Sequence, residues 1–155
     1  MKRISKLSIM TLLTLFLLVS GAPSSFAKSG WADSFNSAEV MYSSTNPTSW
    51  FSATQYLDSL SDSDYYVIDN TNGSSSFTYN VTATPPPDFH IALIVIRMNA
   101  DSSISSISTL NHNGRGYPQS ISWNVNPGER VYFRVMDEGI NNYSQPYTIS
   151  FQKYS

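Results

Sequence analysis

The sequence has no cysteine among its 155 residues, and this absence excludes several kinds of protein. Thiol catalysis, cysteine-ligated metal sites and a lipid-modified N-terminal cysteine are all excluded. A small domain without disulfides depends on its apolar core, in places helped by a bound ion. Aromatic residues make up 14% of the chain, which is enough bulk for such a core.

Histidine is scarce, and the sequence patterns of well-understood catalytic mechanisms are missing. The two histidines are His90 and His112, and there is no Gly-x-Ser-x-Gly, His-Glu-x-x-His or phosphate-loop pattern. Any Ser-His-Asp triad would have to use one of these two histidines. We expect His90 at a strand edge and His112 in a polar surface turn, so the sequence predicts a protein that is not an enzyme.

The first 27 residues have the order of properties of a cleavable signal peptide. Three basic residues within the first six precede an apolar run over residues 7–19. Ser25-Phe26-Ala27 then places small residues at the two positions that signal peptidase reads, which predicts cleavage after Ala27. The apolar run is shorter than the roughly 20 residues of a membrane-spanning helix. The sequence therefore predicts export of a single domain over residues 28–155.

The predicted mature chain is acidic. Removal of residues 1–27 leaves six basic residues against 11 acidic ones, a net charge of −5. Binding to nucleic acid or to anionic lipid depends on clustered Lys and Arg side chains. We therefore expect a secreted, extracellular monomer that binds neither nucleic acid nor a membrane.

Most of residues 28–155 alternate apolar with polar side chains, which is the period of a strand with one face on a core. Residues 91–96 are apolar throughout and predict a central strand buried on both faces. Residues 102–109 consist of Ser and Ile up to a final Thr, and both a loop and a weak strand fit them. Eight or nine strands predict an all-β antiparallel sandwich. The other predicted strands are 39–42, 50–57, 65–68, 77–81, 121–125, 131–135 and 147–151.

Four segments resemble, in this order, the bacterial pre-peptidase C-terminal domain. They are an acidic-Ser-Phe opening at 33–38, an Asp-Ser-Asp-Tyr-Tyr strand within 61–66, a Gly-containing strand at 127–135 and a closing Tyr-Thr strand at 146–151. The resemblance implies a jelly-roll-like β-sandwich, found mostly on secreted proteases and collagenases and associated with secretion or with binding collagen or polysaccharide. We expect no catalytic domain to precede this copy, and we therefore expect it to act without a covalently attached enzyme.

Asp62 and Asp64 are candidate calcium ligands. They lie two residues apart where the chain enters a predicted strand, and Ca²⁺ takes six to eight oxygen ligands. Collagen-binding relatives of the resembled family are associated with calcium, although no EF-hand loop is present. The same carboxylates also fit turns in which they accept backbone N–H groups, and the sequence leaves both interpretations open. Further oxygen ligands could come from Asp33, Asp58, Asp137 and Glu138.

Aromatic residues on an open sheet face can stack on sugar rings or pack on extended peptides. Alternation places Tyr65 and Tyr66 on opposite faces of one strand, so one belongs to the core and the other is partly exposed. Tyr117 and Tyr143 lie in turn-like segments where exposure is expected. Tyr65, Tyr117 and Tyr143 are therefore the candidate ligand-binding residues. We expect two or three exposed side chains among these three and Trp31, Trp50, Tyr56 and Tyr132.

Two functions from different classes fit the sequence. The first is a secreted, non-catalytic binding module for an extracellular or cell-wall polymer, either a polysaccharide or a fibrous protein. The alternative is a structural or accessory protein that meets a separately encoded secreted enzyme or assembly through its sheet edges.

Overall fold

The computed structural model describes residues 30–110, 114–139 and 142–154. The predicted signal peptide, residues 1–27, and His112 in its predicted turn lie outside these ranges. The described residues contain no helix of the length and hydropathy needed to cross a membrane. One 3-10 turn at Phe35–Ser37 precedes the strands β1 (Glu39–Ser43), β2 (Trp50–Gln55), β3 (Ser63–Asp69), β4 (Phe77–Thr84), β5 (Ile91–Met98), β6 (Ile104–Thr109), β7 (Gln119–Val125), β8 (Arg130–Asp137) and β9 (Tyr147–Tyr154).

The strands form two sheets that pack face to face in jelly-roll order. One sheet has the order β1-β3-β8-β5-β6 and the other has the order β2-β9-β4-β7. From β2 onward the chain changes sheet at each connection except the β5–β6 hairpin, as in a jelly roll. The prediction of an all-β, jelly-roll-like sandwich with eight or nine strands is confirmed.

Strand β1 departs from antiparallel pairing, because it runs parallel to β3. The chain leaves the five-stranded sheet after β1, forms β2 in the opposite sheet and returns as β3 beside β1. Parallel neighbours require a crossover connection of this kind. The first strand is thus an edge strand added to an otherwise antiparallel sandwich.

Strands β4 and β5 show how the sequence pattern makes the core. In β4 every second residue from Phe77 to Ala83 is buried between the sheets, while the intervening Thr and Asn side chains face outward. In β5 the apolar run is buried on both faces, as predicted. Leu93 lies fully buried between the sheets, whereas Ile96 is 7% exposed on the other side of its sheet.

Residues 102–109, which the sequence left unassigned, contain the edge strand β6. Strand periodicity alone would place Ile104 and Ile107 on opposite faces. The β5–β6 register, however, shifts by one residue at this point, as in a β-bulge. Ile104 therefore lies opposite Met98, Ile107 lies opposite Ile96, and both isoleucines share one exposed face.

The turn before β7 contains Gly116, and substitution of this glycine tests how the turn packs against Pro87. Its φ is +75°, and an added Cβ would lie 2.7 Å from the carbonyl oxygen of Pro87. We expect Gly116→Ala to lower the free energy of unfolding by more than about 2 kcal/mol, because the left-handed backbone costs 1–2 kcal/mol and the backbone clash adds to it. Gly30→Ala is the matched control, because Gly30 has φ +82° and no atom within 4 Å of its Cβ position. Urea unfolding measures both losses, and equal losses would refute a role for the Pro87 contact.

Candidate functional site

Asp64, Tyr147 and Tyr66 form a chain of hydrogen bonds inside the core. The Tyr147 hydroxyl donates to Oδ2 of Asp64. The Tyr66 hydroxyl lies 2.6 Å from the Tyr147 oxygen and donates to it in turn. All three side chains are buried. Asp64 and Tyr66 belong to β3 and Tyr147 belongs to β9, so this chain joins the two sheets.

Asp64 also belongs to a group of three carboxylates near the start of β3. One carboxylate oxygen from each of Asp33, Asp62 and Asp64 lies within 4.8 Å of the other two. The Tyr65 amide donates to the Ala32 carbonyl at 2.8 Å, which holds the N-terminal segment beside β3. The fold therefore brings Asp33 to the pair that the sequence singled out.

Asp62 is compatible with both interpretations that the sequence left open. Its Oδ1 accepts the Ser63 N–H at 2.8 Å, and its Oδ2 accepts the Asp58 N–H at 2.6 Å. These are the bonds of a turn-forming carboxylate. Each carboxylate oxygen has a further lone-pair site, so the two bonds leave Asp62 able to bind a cation as well.

The carboxylates of this group lie close enough to repel one another when they are ionised. Burial raises the pKa of Asp64 from 3.8 to about 7, against the opposing effect of the hydrogen bond from Tyr147. The charges of Asp62, Asp33 and Asp58 contribute to the same rise. The pKa of Asp58 is also raised, by desolvation first and then by its acidic neighbours. A divalent cation would offset this repulsion, and carboxylate oxygens are the ligands that calcium prefers, so the donor set fits such an ion.

The predicted tyrosines differ in exposure. Tyr117 is 58% exposed in the turn before β7. Tyr65 is half-buried, with the Phe35 ring centroid 5.0 Å from its own and the Arg134 guanidinium 5.6 Å from its ring. Tyr66 is the core member of the tyrosine pair, in agreement with the alternation. Only part of the Tyr65 ring is thus open to a ligand.

Tyr143 is half-buried, so the exposure expected from its turn-like segment is not observed. Its ring packs edge-on against Phe89 with centroids 6.0 Å apart. Its hydroxyl donates to Oδ2 of Asp137 at 2.5 Å, while Oδ1 of Asp137 accepts the Gly139 N–H at 2.6 Å. Tyr143 therefore anchors the segment before β9, and Asp137 lies outside the group of three carboxylates.

The outer face of the four-stranded sheet, which we call the neutral face, has no charged side chain at its described strand positions. The residues that belong to this face are identified by the strand register of the sheet and by the burial of the alternate residues between the sheets. Its side chains are linked by hydrogen bonds, such as those from Asn80 Nδ2 to Ser120 Oγ at 3.0 Å and Ser122 Oγ at 2.9 Å. The neutral face comprises Trp50, Ser52, Thr54, Thr78, Asn80, Thr82, Thr84, Ser120, Ser122, Asn124, Thr148, Ser150, Gln152 and Tyr154.

Trp50 and Tyr154 give the neutral face an aromatic end. Their exposed fractions are 63% and 43%. Trp50 lies opposite Gln152, so Tyr154 is its diagonal neighbour, about 7–8 Å away. Sequence reasoning named Trp50 but missed Tyr154, because the predicted strand ended at residue 151. Extending the alternation to residue 154 would have found it.

The outer face of the five-stranded sheet, which we call the apolar face, has a different character. Phe35 covers its centre, with its ring centroid 4.8 Å from that of Tyr132. Val40 and Ile107, at the two edges, are 52% and 61% exposed. One apolar row crosses all five strands and consists of Val40, Val67, Tyr132, Ile96 and Ile107.

The raised pKa of Asp64 predicts an unusual dependence of stability on pH. Since the folded pKa is about 7 and the ordinary value is 3.8, the folded state holds the extra proton between these values. The contribution of Asp64 to the free energy of unfolding therefore falls as the pH rises from 4 to 7, by about 1.4 kcal/mol for each unit of pKa difference.

Asp64→Asn removes this titration and keeps an oxygen acceptor for Tyr147. We expect the variant to gain stability relative to the unmodified protein as the pH rises from 5 to 8, in urea unfolding with chelator present. The exposed Asp88 provides the control substitution, Asp88→Asn, which should give no such trend. Parallel stability curves for Asp64→Asn and the unmodified protein would contradict the prediction.

No protein-family model and no curated protein matches the chain. Among solved structures, it is similar to the pre-peptidase C-terminal domain of a collagenase from Bacillus anthracis, with 12% identity over 76% of this chain and 94% of that domain, and a TM-score of 0.48. It is also similar to the enzymatically active domain of tailspike protein 4 of bacteriophage CBA120, with 8% identity, 69% of this chain and a TM-score of 0.35. The match spans 20% of that phage chain. The first of these neighbours is a domain of the kind that the four sequence motifs resemble.

Proposed function

We propose that the domain is a secreted, non-catalytic module that binds a neutral polysaccharide outside the cell. The observation that carries this proposal is the neutral face, where hydroxyl and carboxamide groups surround an aromatic end formed by Trp50 and Tyr154. Such groups both donate and accept hydrogen bonds, as sugar hydroxyls do. The two aromatic rings offer apolar surfaces on which sugar rings can stack.

Hydrogen bonds within the neutral face hold its side chains in place. Thr82 donates to Asn80 at 3.1 Å, and Thr78 donates to Asn124 at 2.7 Å. Tyr154 donates to the side chain of Gln152 at 3.2 Å. Side chains that are already ordered lose little conformational entropy on binding. A pre-arranged, open sheet face of this kind suits an extended polymer chain.

The distribution of charge supports an uncharged ligand. The predicted mature chain has a net charge of −5, which disfavours approach of an anionic polymer. The neutral face carries no Lys or Arg at its described positions to offset that repulsion. A neutral polysaccharide meets neither obstacle, and export through residues 1–27 would bring the domain to it.

The apolar face favours a second function, that of an accessory to a separate secreted protein. Ile104 and Ile107 each expose more than half of their surface on the same side of its edge strand β6. Exposed apolar residues that adjoin one another commonly mark protein contacts. The two functions differ in one measurable result. Only the first function requires the protein to be retained on a polymer through Trp50.

We also propose that Asp33, Asp62 and Asp64 hold a calcium ion that steadies the fold. Asp33 precedes β1 in the N-terminal segment, whereas Asp62 and Asp64 lie at the start of β3. An ion bound by all three would tie these two parts of the chain together. Its charge would also favour the ionised form of the buried Asp64.

Polymer retention tests the principal proposal. Protein exported by an expressing bacterium is incubated with insoluble cellulose, chitin, peptidoglycan and collagen, and the bound fraction is measured. We expect retention on at least one neutral polysaccharide and a loss of about tenfold or more in Trp50→Ala and Tyr154→Ala, since each aromatic contact contributes about 0.5–1.5 kcal/mol beyond the apolar area that it buries.

Tyr117→Ala is the matched control, because Tyr117 is nearly as exposed as Trp50 but lies outside the neutral face. Its retention should equal that of the unmodified protein. Retention lost in Tyr117→Ala but kept in Trp50→Ala would move the site to the turn before β7. Absence of retention on every polysaccharide would refute the proposed function.

Chelation tests the calcium proposal. A ligand that binds only the folded state stabilises it, so excess EDTA should lower the melting temperature at pH 7.5 by several degrees, and added calcium should restore it. Asp33→Asn and Asp62→Asn should abolish the response, whereas Asp88→Asn should keep it. Identical melting curves with and without EDTA would remove calcium from the account.

A further inference from the structure

A cleft opens on the side of the sandwich where the edge strands β6 and β7 face each other from opposite sheets. Its volume is about 340 Å³ when the solvent space at its open mouth is included, so it is a small cleft. It is separate from the neutral face, because its side chains point between the sheets. The lining includes Tyr79, Val95, Ser106, Ser108, Ile121 and Trp123.

Tyr79 provides the strongest indication that this cleft binds a ligand. Tyr79 is fully buried, and its hydroxyl has no hydrogen-bond partner among the described residues. The ring is fixed by an edge-on contact with Phe133, with centroids 5.7 Å apart. A buried polar group without a partner costs about 1–3 kcal/mol, and that cost is recovered if a ligand supplies the partner.

Trp123 forms one wall of the cleft and is 58% exposed. It lies directly opposite Tyr79 in the β4–β7 pair and points to the same side of the sheet. Because β7 is an edge strand, part of this indole stays open to solvent at the rim of the sandwich. Tyr79 and an accessible aromatic surface therefore line one cavity.

The charge in the cleft is already compensated. Arg97 approaches Trp123, with its guanidinium carbon 5.9 Å from the ring centroid. Its Nη2 donates to Glu129 at 2.7 Å and to the Asn124 carbonyl at 2.8 Å. This pairing lowers the attraction of the cleft for an anion, so a neutral ligand is favoured. Ser106 and Ser108 of β6 add two hydroxyl groups to the lining.

We infer that this cleft binds a single neutral sugar ring. The apolar face of the ring would lie on Trp123, one of its hydroxyls would pair with the Tyr79 hydroxyl, and others would reach Ser106 and Ser108. The cleft is too small for a polymer chain, so we infer that its ligand is the terminal sugar of a glycan. The inference does not rest on the proposed function, because it concerns a different surface and a soluble ligand.

Indole NMR signals provide a test that resolves the two surfaces. The chain has three tryptophans, so the three indole N–H signals can be assigned with single Trp→Phe variants. The exported protein is titrated with glucose, galactose, mannose and N-acetylglucosamine. We expect at least one sugar to shift the Trp123 signal in a saturable manner while the Trp50 signal stays in place.

Tyr79→Phe removes one oxygen atom and should leave the fold intact, because that oxygen has no protein partner to lose. We expect Tyr79→Phe to weaken, by about tenfold, the binding of the sugar that shifts the Trp123 signal. A tenfold change in affinity corresponds to the loss of one hydrogen bond worth about 1.4 kcal/mol. Tyr117→Ala is the control and should leave this affinity unchanged, because Tyr117 lines neither this cleft nor the neutral face.

Three results would overturn the inference: no sugar shifts the Trp123 signal, only the Trp50 signal responds, or Tyr79→Phe binds as well as the unmodified protein. Unchanged affinity in Tyr79→Phe would mean that water, and not the sugar, pairs with the hydroxyl. Polymer retention through Trp50 is measured separately, so either proposal can fail while the other stands.

Discussion

The buried hydrogen-bonded chain from Tyr66 through Tyr147 to Asp64 constrains this molecule more than any other contact described. A carboxyl group inside an apolar core is tolerated only when its oxygens are paired. The pairing hydroxyl comes from the opposite sheet, so the two sheets must stay in register for Asp64 to remain buried. Without disulfides, this polar link and the packing around it fix how the sheets meet. The arrangement of the three carboxylates depends on this link as well, because those of Asp33 and Asp62 lie close to that of Asp64.

The jelly-roll order explains why one small domain offers surfaces of such different chemistry. Alternate connections send β2, β4, β7 and β9 to one sheet and the other strands to the second. The outward positions of the first sheet are Ser, Thr, Asn and Gln apart from Trp50 and Tyr154, whereas those of the second hold Val40, Tyr132 and Ile107. Each sheet needs only its inner face for the core, so the outer faces are free to differ. The open side between β6 and β7 adds a third surface, which belongs to neither outer face.

Local pattern was enough to predict most strands, and the failures have specific physical causes. Tyr65 and Tyr66 were assigned to opposite faces correctly, since alternation within a strand depends on the backbone alone. The side on which Ile104 lies depends on a bulge, which a spacing of three cannot reveal. Trp123 occupies an inward position in the alternation of β7, yet it is exposed because β7 lies at the edge of its sheet. The sequence does not show which strand is an edge, since that depends on how the strands pair. Asp33 lies beside Asp62 through a contact between segments 29 residues apart, and sequence could name it only as one of several possible ligands.

The position of β9 has a consequence for how and when this protein folds. It is the last of the described strands in chain order, yet it lies between β2 and β4 in the sheet that bears the neutral face. It also supplies Tyr147 to the link between the sheets. Until β9 has been synthesised, β2 has no neighbour in its sheet and Asp64 has no hydroxyl to bind. Long-range pairing of this kind folds slowly, so the sheet that bears the neutral face is completed only at the end of folding.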